Sequence, residues 1–576
     1  MLAFRETLTT HSTNFNNNPF NLSSNLLYTK ILDMEETLQV NKNKNLSGVI
    51  NQADLKENTI IDNNYDNDSF STFQHEFCGL NTQTNSNTYV TEYVLPQACE
   101  MPLGTAFDGD AKKVWYVSTK NGVLGSYNIK ENRFDQERII PEWNSRKDSH
   151  SFSQVWDMKV NRNTGDVWFT DEKGNAIWRF LKSSQKFETY KIPGLSQYFG
   201  TTYPISMEFA HDDNNNSNRD DNNVLFFVGT YSESLWYANI AQLKNGTSEG
   251  ISQIILPVAS NFKGIDPIYI TTGSLAYDSK RNDIWISVMA YSKKGYLLKY
   301  NVDTRTFDKF ELPKELSSPL GMTVDHSGDL WVTNAGTSTF YKFKSHKLND
   351  DNSNSRIVKF VTSTASPRIF SNINGLSDSK NNNSNANTIS KHAYTLPYWI
   401  KKSGGSLWFN EWEGNKIARF DSSHKMLIEY WIPSQNRLWG TCSSFNNTTK
   451  SISHNSENNS LQKCGIANVL QFSTKNGNNN GNNNKDRQIW FTEWSENKIG
   501  KIDVSDRHLP FSVGVSYPDS DSKELTIKRG ESEKINVKVL STGSHTSFNP
   551  KNEVDNHIIH MIVSGTFTPT GDLGNS

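Results

Sequence analysis

One segment recurs along the chain, and that recurrence constrains the fold more than any other feature. It reads VWYVSTKNGVLGSYNIKENRFDQERIIP at 114–141 and VWFTDEKGNAIWRFLKSSQKFETYKIP at 167–193. It returns as VLFFVGTYSESLWYANI with QIILP (224–257), IWISVMAYSKKGYLLKYNVDTRTFDKFELP (284–313) and LWVTNAGTSTFYKFKSHK with RIVKFVTS (330–363). The sixth copy is LWFNEWEGNKIARFDSSHKMLIEYWIP (407–433), and the seventh, IWFTEWSENKIGKIDV (489–504), stops halfway. Each full copy holds three short β-rich runs divided by turn residues. A fourth run precedes most copies: PLGTAFD, WDMKV, SLAYD, PLGMTVD, PYWIKK. Four short strands per repeat is the pattern of a β-propeller blade. The strand missing from the seventh copy stands before the first: TYVTEYVLP (88–96) matches the blade-ending FETYKIP and LIEYWIP. Propellers close by pairing an N-terminal strand into the last blade, which leaves no open edge. The expected fold is all-β, a seven-bladed propeller over 88–503 closed between 88–95 and 498–503.

The flanks read differently. Hydrophobic residues are only 35% of the chain, yet aromatics reach 12%, which is unlike a disordered protein. Asn-rich runs such as DDNNNSNRDDNN (212–223) and NGNNNGNNN (476–484) explain the dilution, as polar loops inserted into an aromatic fold. Residues 1–87 share their character and are expected to be largely disordered. After Asp503 the repeat ends. FSVGVSYPD, KELTIKRGESEKINVKVLST and HIIHMIVSG alternate with period two, so 510–576 is expected to form a small β-sandwich-like domain, truncated or leaning on the propeller.

The formal charge of −2 gives no electrostatic case for nucleic acid. No run approaches the length of a membrane span. The expected partner is a small-molecule, glycan or protein ligand bound by a monomer. There is no G-x-S-x-G, H-E-x-x-H or P-loop to suggest other chemistry.

The first two strands of a blade are antiparallel, so second-strand ends and inner-strand starts meet on one rim of the central channel. Asp171, Asn334, Glu411 and Glu493 end second strands. They are expected to form an oxygen-rich ring holding a divalent cation, Mg²⁺ or Ca²⁺. The alternative is that each caps its strand end. Trp156, Asp157, Tyr398 and Trp399 begin inner strands and are expected to contact a ligand.

The phrase W-F-T-E-x-x-x-N-K-I-G of WFTEWSENKIGKID, with WFNEWEGNKIARFD, resembles the streptogramin (virginiamycin B) lyases, seven-bladed propellers related in shape to the gluconolactonase/SMP-30 group. That resemblance spans most of 88–503. It implies opening of a lactone ester by elimination, with Mg²⁺, a rim glutamate matching Glu411 and Glu493 as catalytic groups, and histidines in a P-H-x-[IL]-T phrase. Here the corresponding positions read Pro319-Leu320-Gly321-Met322-Thr323, Pro397-Tyr398-Trp399-Ile400 and Pro102-Leu103-Gly104, without histidine. His150 and His392 lie off the phrase. Three functions therefore compete: a ligand-binding propeller, a metal-dependent lyase or lactonase, and a surface scaffold.

Cys78 and Cys99 bracket the closing strand, and Cys442 and Cys464 bracket an insert of blade seven. They are expected to form two disulfides, Cys78–Cys99 and Cys442–Cys464, with cross-pairing as the alternative. Nine N-x-[ST] sequons occur, of which Asn245 in KNGTSEG stands outside the Asn-rich runs. Both features point to an extracytoplasmic or cell-surface location. The opening MLAFRETLTT lacks the basic start and apolar centre of a signal peptide, which an upstream segment would reconcile.

Overall fold

The structure is a computed structural model. It describes residues 78, 84, 86–87, 89–143, 153–194, 202–211, 223–230, 233–257, 270–290, 295–344, 357–362, 394–422, 426–436, 466–474, 488–504, 511–516, 536–541 and 559–561. Seven antiparallel sheets of the repeat type follow one another in sequence, each running from an inner strand outward. The inner strands contact one another around a ring. Closure is as the orphan strand suggests. Val90–Val94 pairs antiparallel with Lys498–Asp503, with Val90 opposite Ile502 and Val94 opposite Lys498. The seventh blade is thus built from both ends of the propeller. Its inner strand, Gln471–Thr474, is short and separated from the next strand by an Asn-rich insert, and the sequence reading does not identify it.

Second-strand tryptophans make the repeat visible and form much of the core. Trp115, Trp168, Trp331, Trp408 and Trp490 are all buried, each among apolar neighbours between or within blades. A third-strand cation lies over several of these rings: Arg179 over Trp168, Lys342 over Trp331, Arg419 over Trp408.

Five inner strands shift register near their starts, between Pro102/Thr105, Pro204/Ser206, Thr272/Leu275, Pro319/Met322 and Pro397/Ile400. Bulges at such points re-aim side chains. They also bring neighbouring backbones close. A Cβ on Gly321 would overlap the Tyr398 carbonyl and the Trp399 Cα, so only glycine fits there.

Beyond the propeller, Phe511–Ser516 pairs with Asn536–Ser541, and Ile559–Met561 adds to the outer strand of blade six as a fifth strand. The C-terminal segment therefore docks on the ring at the level of backbone pairing. Cys78 and Cys99 form the expected disulfide, and the described residues include no free cysteine. Cys442, Cys464, His150 and His392 lie outside the described residues.

Candidate functional site

The residues that end the second strands do not form a ring of ligands. Asp171 and Asn334 are hydrogen-bonded within their own blade neighbourhoods, whereas the buried carboxyl oxygens of Glu411 and Glu493 face lysines without a hydrogen bond. Glu411 faces Lys416 at 3.3 Å, and Lys416 also meets Glu429 at 3.0 Å. The same arrangement recurs one blade on. Lys498 meets Glu92 at 3.3 Å, and burial first, then Glu92, raise the pKa of Glu493 against the pull of Lys498. Glu411, Glu493 and the two lysines are completely buried. Lys498 and Glu92 also engage Ser434 at the end of blade six, so this cluster ties the closing blade to its neighbour.

Two carboxyls and one ammonium in a dry site carry an uncompensated negative charge unless one carboxyl keeps its proton. Burial first, and Glu429 second, push Glu411 well above the ordinary carboxylate range. Burial and Glu92 do the same to Glu493.

Asp171 occupies the equivalent place in blade two, where alanine replaces the lysine opposite it. Its carboxylate accepts from Ser153 Oγ at 2.5 Å, the Gly174 amide at 2.8 Å and Trp178 Nε1 at 2.8 Å. In blade five the Asn334 side chain accepts from Ser318 N at 3.2 Å and donates to the Glu315 carbonyl at 2.8 Å. The four expected cation ligands are thus not brought together. Among the described residues no group of three His, Cys, Asp or Glu could hold a metal ion.

The reason is strand alternation. The residue one position earlier points to the opposite face of its sheet, toward the next blade. Thr492 Oγ1 donates to the Leu103 carbonyl at 2.7 Å, from blade seven to blade one. Thr333 Oγ1 donates to the Tyr398 carbonyl at 2.5 Å, and Asn410 Nδ2 to the Val469 carbonyl at 2.7 Å. Ser287 Oγ donates to the Leu320 carbonyl at 3.2 Å. Each staples a blade to the next across the inner-strand bulge.

The asparagine of the repeated phrase is structural too. Asn175, Asn415 and Asn497 all adopt positive φ in the turn after the second strand. Each holds the next blade's entry: Asn175 Oδ1 accepts from Thr202 N, Asn415 Oδ1 from Ala467 N and Asn497 Oδ1 from Glu100 N, at 2.8, 2.8 and 2.7 Å. Tryptophan, threonine, glutamate, asparagine and lysine of the phrase thus all have a packing or stapling role.

The remaining expected site residues lie at or near the inner-strand starts. Trp156 is half-buried, and its Nε1 donates to Glu172 at 2.7 Å. Gln471 of blade seven donates its side-chain amide to the Trp156 carbonyl. Burial lifts Glu172 to about 7, against the pull of the Trp156 N–H. On blade six, Tyr398 packs edge-on to Trp399 at 5.6 Å and to Trp412 at 6.0 Å. Asp157 holds two backbone amides. It accepts from Met158 N and Met207 N, both at 2.9 Å, joining blade two to blade three.

Between the inner strands of blades two and three, Lys159 meets Glu208 at 2.8 Å. Lys401 donates to the Phe472 carbonyl at 2.6 Å, and burial draws it down to about 8. Sequence reasoning missed Glu172, Gln471 and Trp412. Glu172 and Trp412 each directly follow a second-strand carboxylate in the sequence, and that adjacency is the one available signal.

No protein-family model matches the sequence, and no curated protein does. Solved structures do match in fold. Virginiamycin B lyase from Staphylococcus aureus aligns at 16% identity and TM-score 0.46, over 72% of this chain and 99% of that one. A streptogramin B lyase structure aligns at 16% and 0.46, over 72% and 97%. The β-propeller domain of Cps50 (Swd1) from Myceliophteria thermophila aligns at 8% and 0.43, over 72% and 99%. At these identities the likeness is one of fold alone.

Proposed function

We propose that the protein is an extracytoplasmic ligand-binding propeller that engages a small molecule or glycan at the channel mouth, through Trp156, Tyr398 and Trp399. The observation that carries this reading is the split between two kinds of glutamate. Glu411 and Glu493 are sealed into clusters with lysines, whereas Glu172 holds the half-buried Trp156 where the inner strands begin. Aromatic faces with a few placed polar groups are the common make-up of a small-ligand site. No divalent cation is part of the proposal: Glu411 faces Lys416, and among the described residues no three of His, Cys, Asp and Glu are grouped to hold a metal ion. The Cys78–Cys99 disulfide supports an oxidising compartment. Among the described residues no helix is long and apolar enough to cross a membrane.

One observation favours a second reading, lactone opening. A carboxyl lifted to about 7 is suited to general-base work near neutral pH, and Glu172 is such a group. Incubation of the full chain with a group B streptogramin, followed by mass spectrometry for the opened product, separates the two. The expected result is no opening above the uncatalysed rate. Opening at an enzyme-like rate that Glu172→Gln abolishes and Glu411→Gln leaves intact establishes the second reading. Opening that depends on Glu411 or Glu493 overturns both.

A further inference from the structure

The turn that links the third and outer strands of blade three reaches sideways onto blade two. The Gly246 amide donates to the Thr189 carbonyl at 2.8 Å, and the Lys191 amide donates to the Thr247 carbonyl at 2.9 Å. The Thr189 amide donates to Asn245 Oδ1 at 2.9 Å. Thr189 and Lys191 belong to blade two's outer strand, Lys186–Lys191, so the turn caps an edge that is otherwise open to pairing. Asn245, Gly246 and Thr247 are themselves exposed. A Cβ built on Gly246 would meet nothing within 4 Å. Among the described residues Asn245-Gly246-Thr247 is the one N-x-[ST] sequon.

We infer that Asn245 is a site of N-linked glycosylation. The side-chain amide is divided between two tasks. Oδ1 is the acceptor that holds the blade-two edge, while Nδ2 is left for solvent. The modification uses only the second. Nδ2 attacks the anomeric carbon of a lipid-linked oligosaccharide. An N–C bond forms, the bond from that carbon to the lipid phosphate oxygen breaks, and Nδ2 gives up one proton. The carbonyl Oδ1 is untouched, so the hydrogen bond from Thr189 survives. Thr247 Oγ1 donates to the Lys244 carbonyl at 2.9 Å, which fixes the turn around the acceptor amide. A sugar there covers the outer wall of the ring, away from the channel mouth.

The inference rests on the extracytoplasmic reading, and one experiment separates their failures. The full chain is isolated from its source cells, digested without reduction and mapped by mass spectrometry. The expected result is a glycan on the Asn245 peptide together with the intact Cys78–Cys99 bond, lost completely in Thr247→Ala and retained in Thr247→Ser. An intact disulfide with unmodified Asn245 overturns the glycosylation site and leaves the location standing. Free thiols with unmodified Asn245 overturn the location and the site together.

Discussion

The seams between blades and the mouth of the channel both use buried glutamates, and they use them in opposite ways. At the seams, Glu411 and Glu493 are each completely buried beside a lysine and a second glutamate, and Glu496 adds a further carboxyl near Glu493. At the mouth, Glu172 is tied to a tryptophan that still shows part of its surface. The same residue type, raised in pKa by burial in each case, is a structural group in one place and a candidate for chemistry in the other. A raised pKa alone therefore does not separate a structural carboxyl from a functional one.

The comparison can be broken most forcefully at the ring closure. Deleting residues 90–94 removes the outer strand of blade seven and Glu92 with it, and should abolish the cooperative unfolding transition seen by circular dichroism. A deleted chain that melts like the parent breaks the closed-ring account.

Next in size is the seam lysine. Lys498→Met or Lys416→Met leaves two buried glutamates without their cation, and should cost about 3–5 kcal/mol in urea denaturation. A loss below about 1 kcal/mol, the range of exposed ion pairs, would show the seam to be solvated.

The staples come third. Thr492→Val strands the Leu103 carbonyl, a loss of about 1–3 kcal/mol, and Thr333→Val strands the Tyr398 carbonyl similarly. At the mouth, Glu172→Gln keeps an acceptor for Trp156. It should change stability by less than about 1 kcal/mol while flattening any pH dependence of Trp156 fluorescence near 7.

Most of the fold is legible in the sequence because each blade repeats its tryptophan and turn signals at similar spacing. Even the closure can be read from the resemblance of TYVTEYVLP to LIEYWIP. The shared Glu-Tyr of these strands is Glu92 and Glu429, the second carboxyl of each seam cluster, which the pattern shows without revealing its role. The site is less legible. Whether Glu493 or Thr492 meets the next blade depends on a one-residue register, and periodicity alone fixes alternation but not which face packs where. Trp156, Tyr398 and Trp399 could be assigned to the inner-strand starts because a β-strand start is a boundary that turn residues mark. Gln471 could not, because an Asn-rich insert hides the strand it begins.

The central claim is that Glu411 and Glu493 hold protons in the blade seams. Its most direct test is the unfolding free energy of the Glu411→Gln/Glu493→Gln double variant and of the parent, measured by denaturant titration from pH 5 to 9. A carboxyl whose folded pKa is raised contributes stability that is complete below its unfolded value, near 4.5, and is lost as pH climbs toward the folded one. The parent should therefore weaken steadily as pH rises. Glutamine does not titrate, so the double variant should lose most of that slope and match or exceed the parent at pH 9. A residual slope should come from Glu172 and Glu496, both near 7, and Glu100, near 9. An unchanged slope, or a double variant several kcal/mol weaker than the parent at pH 9, contradicts the account.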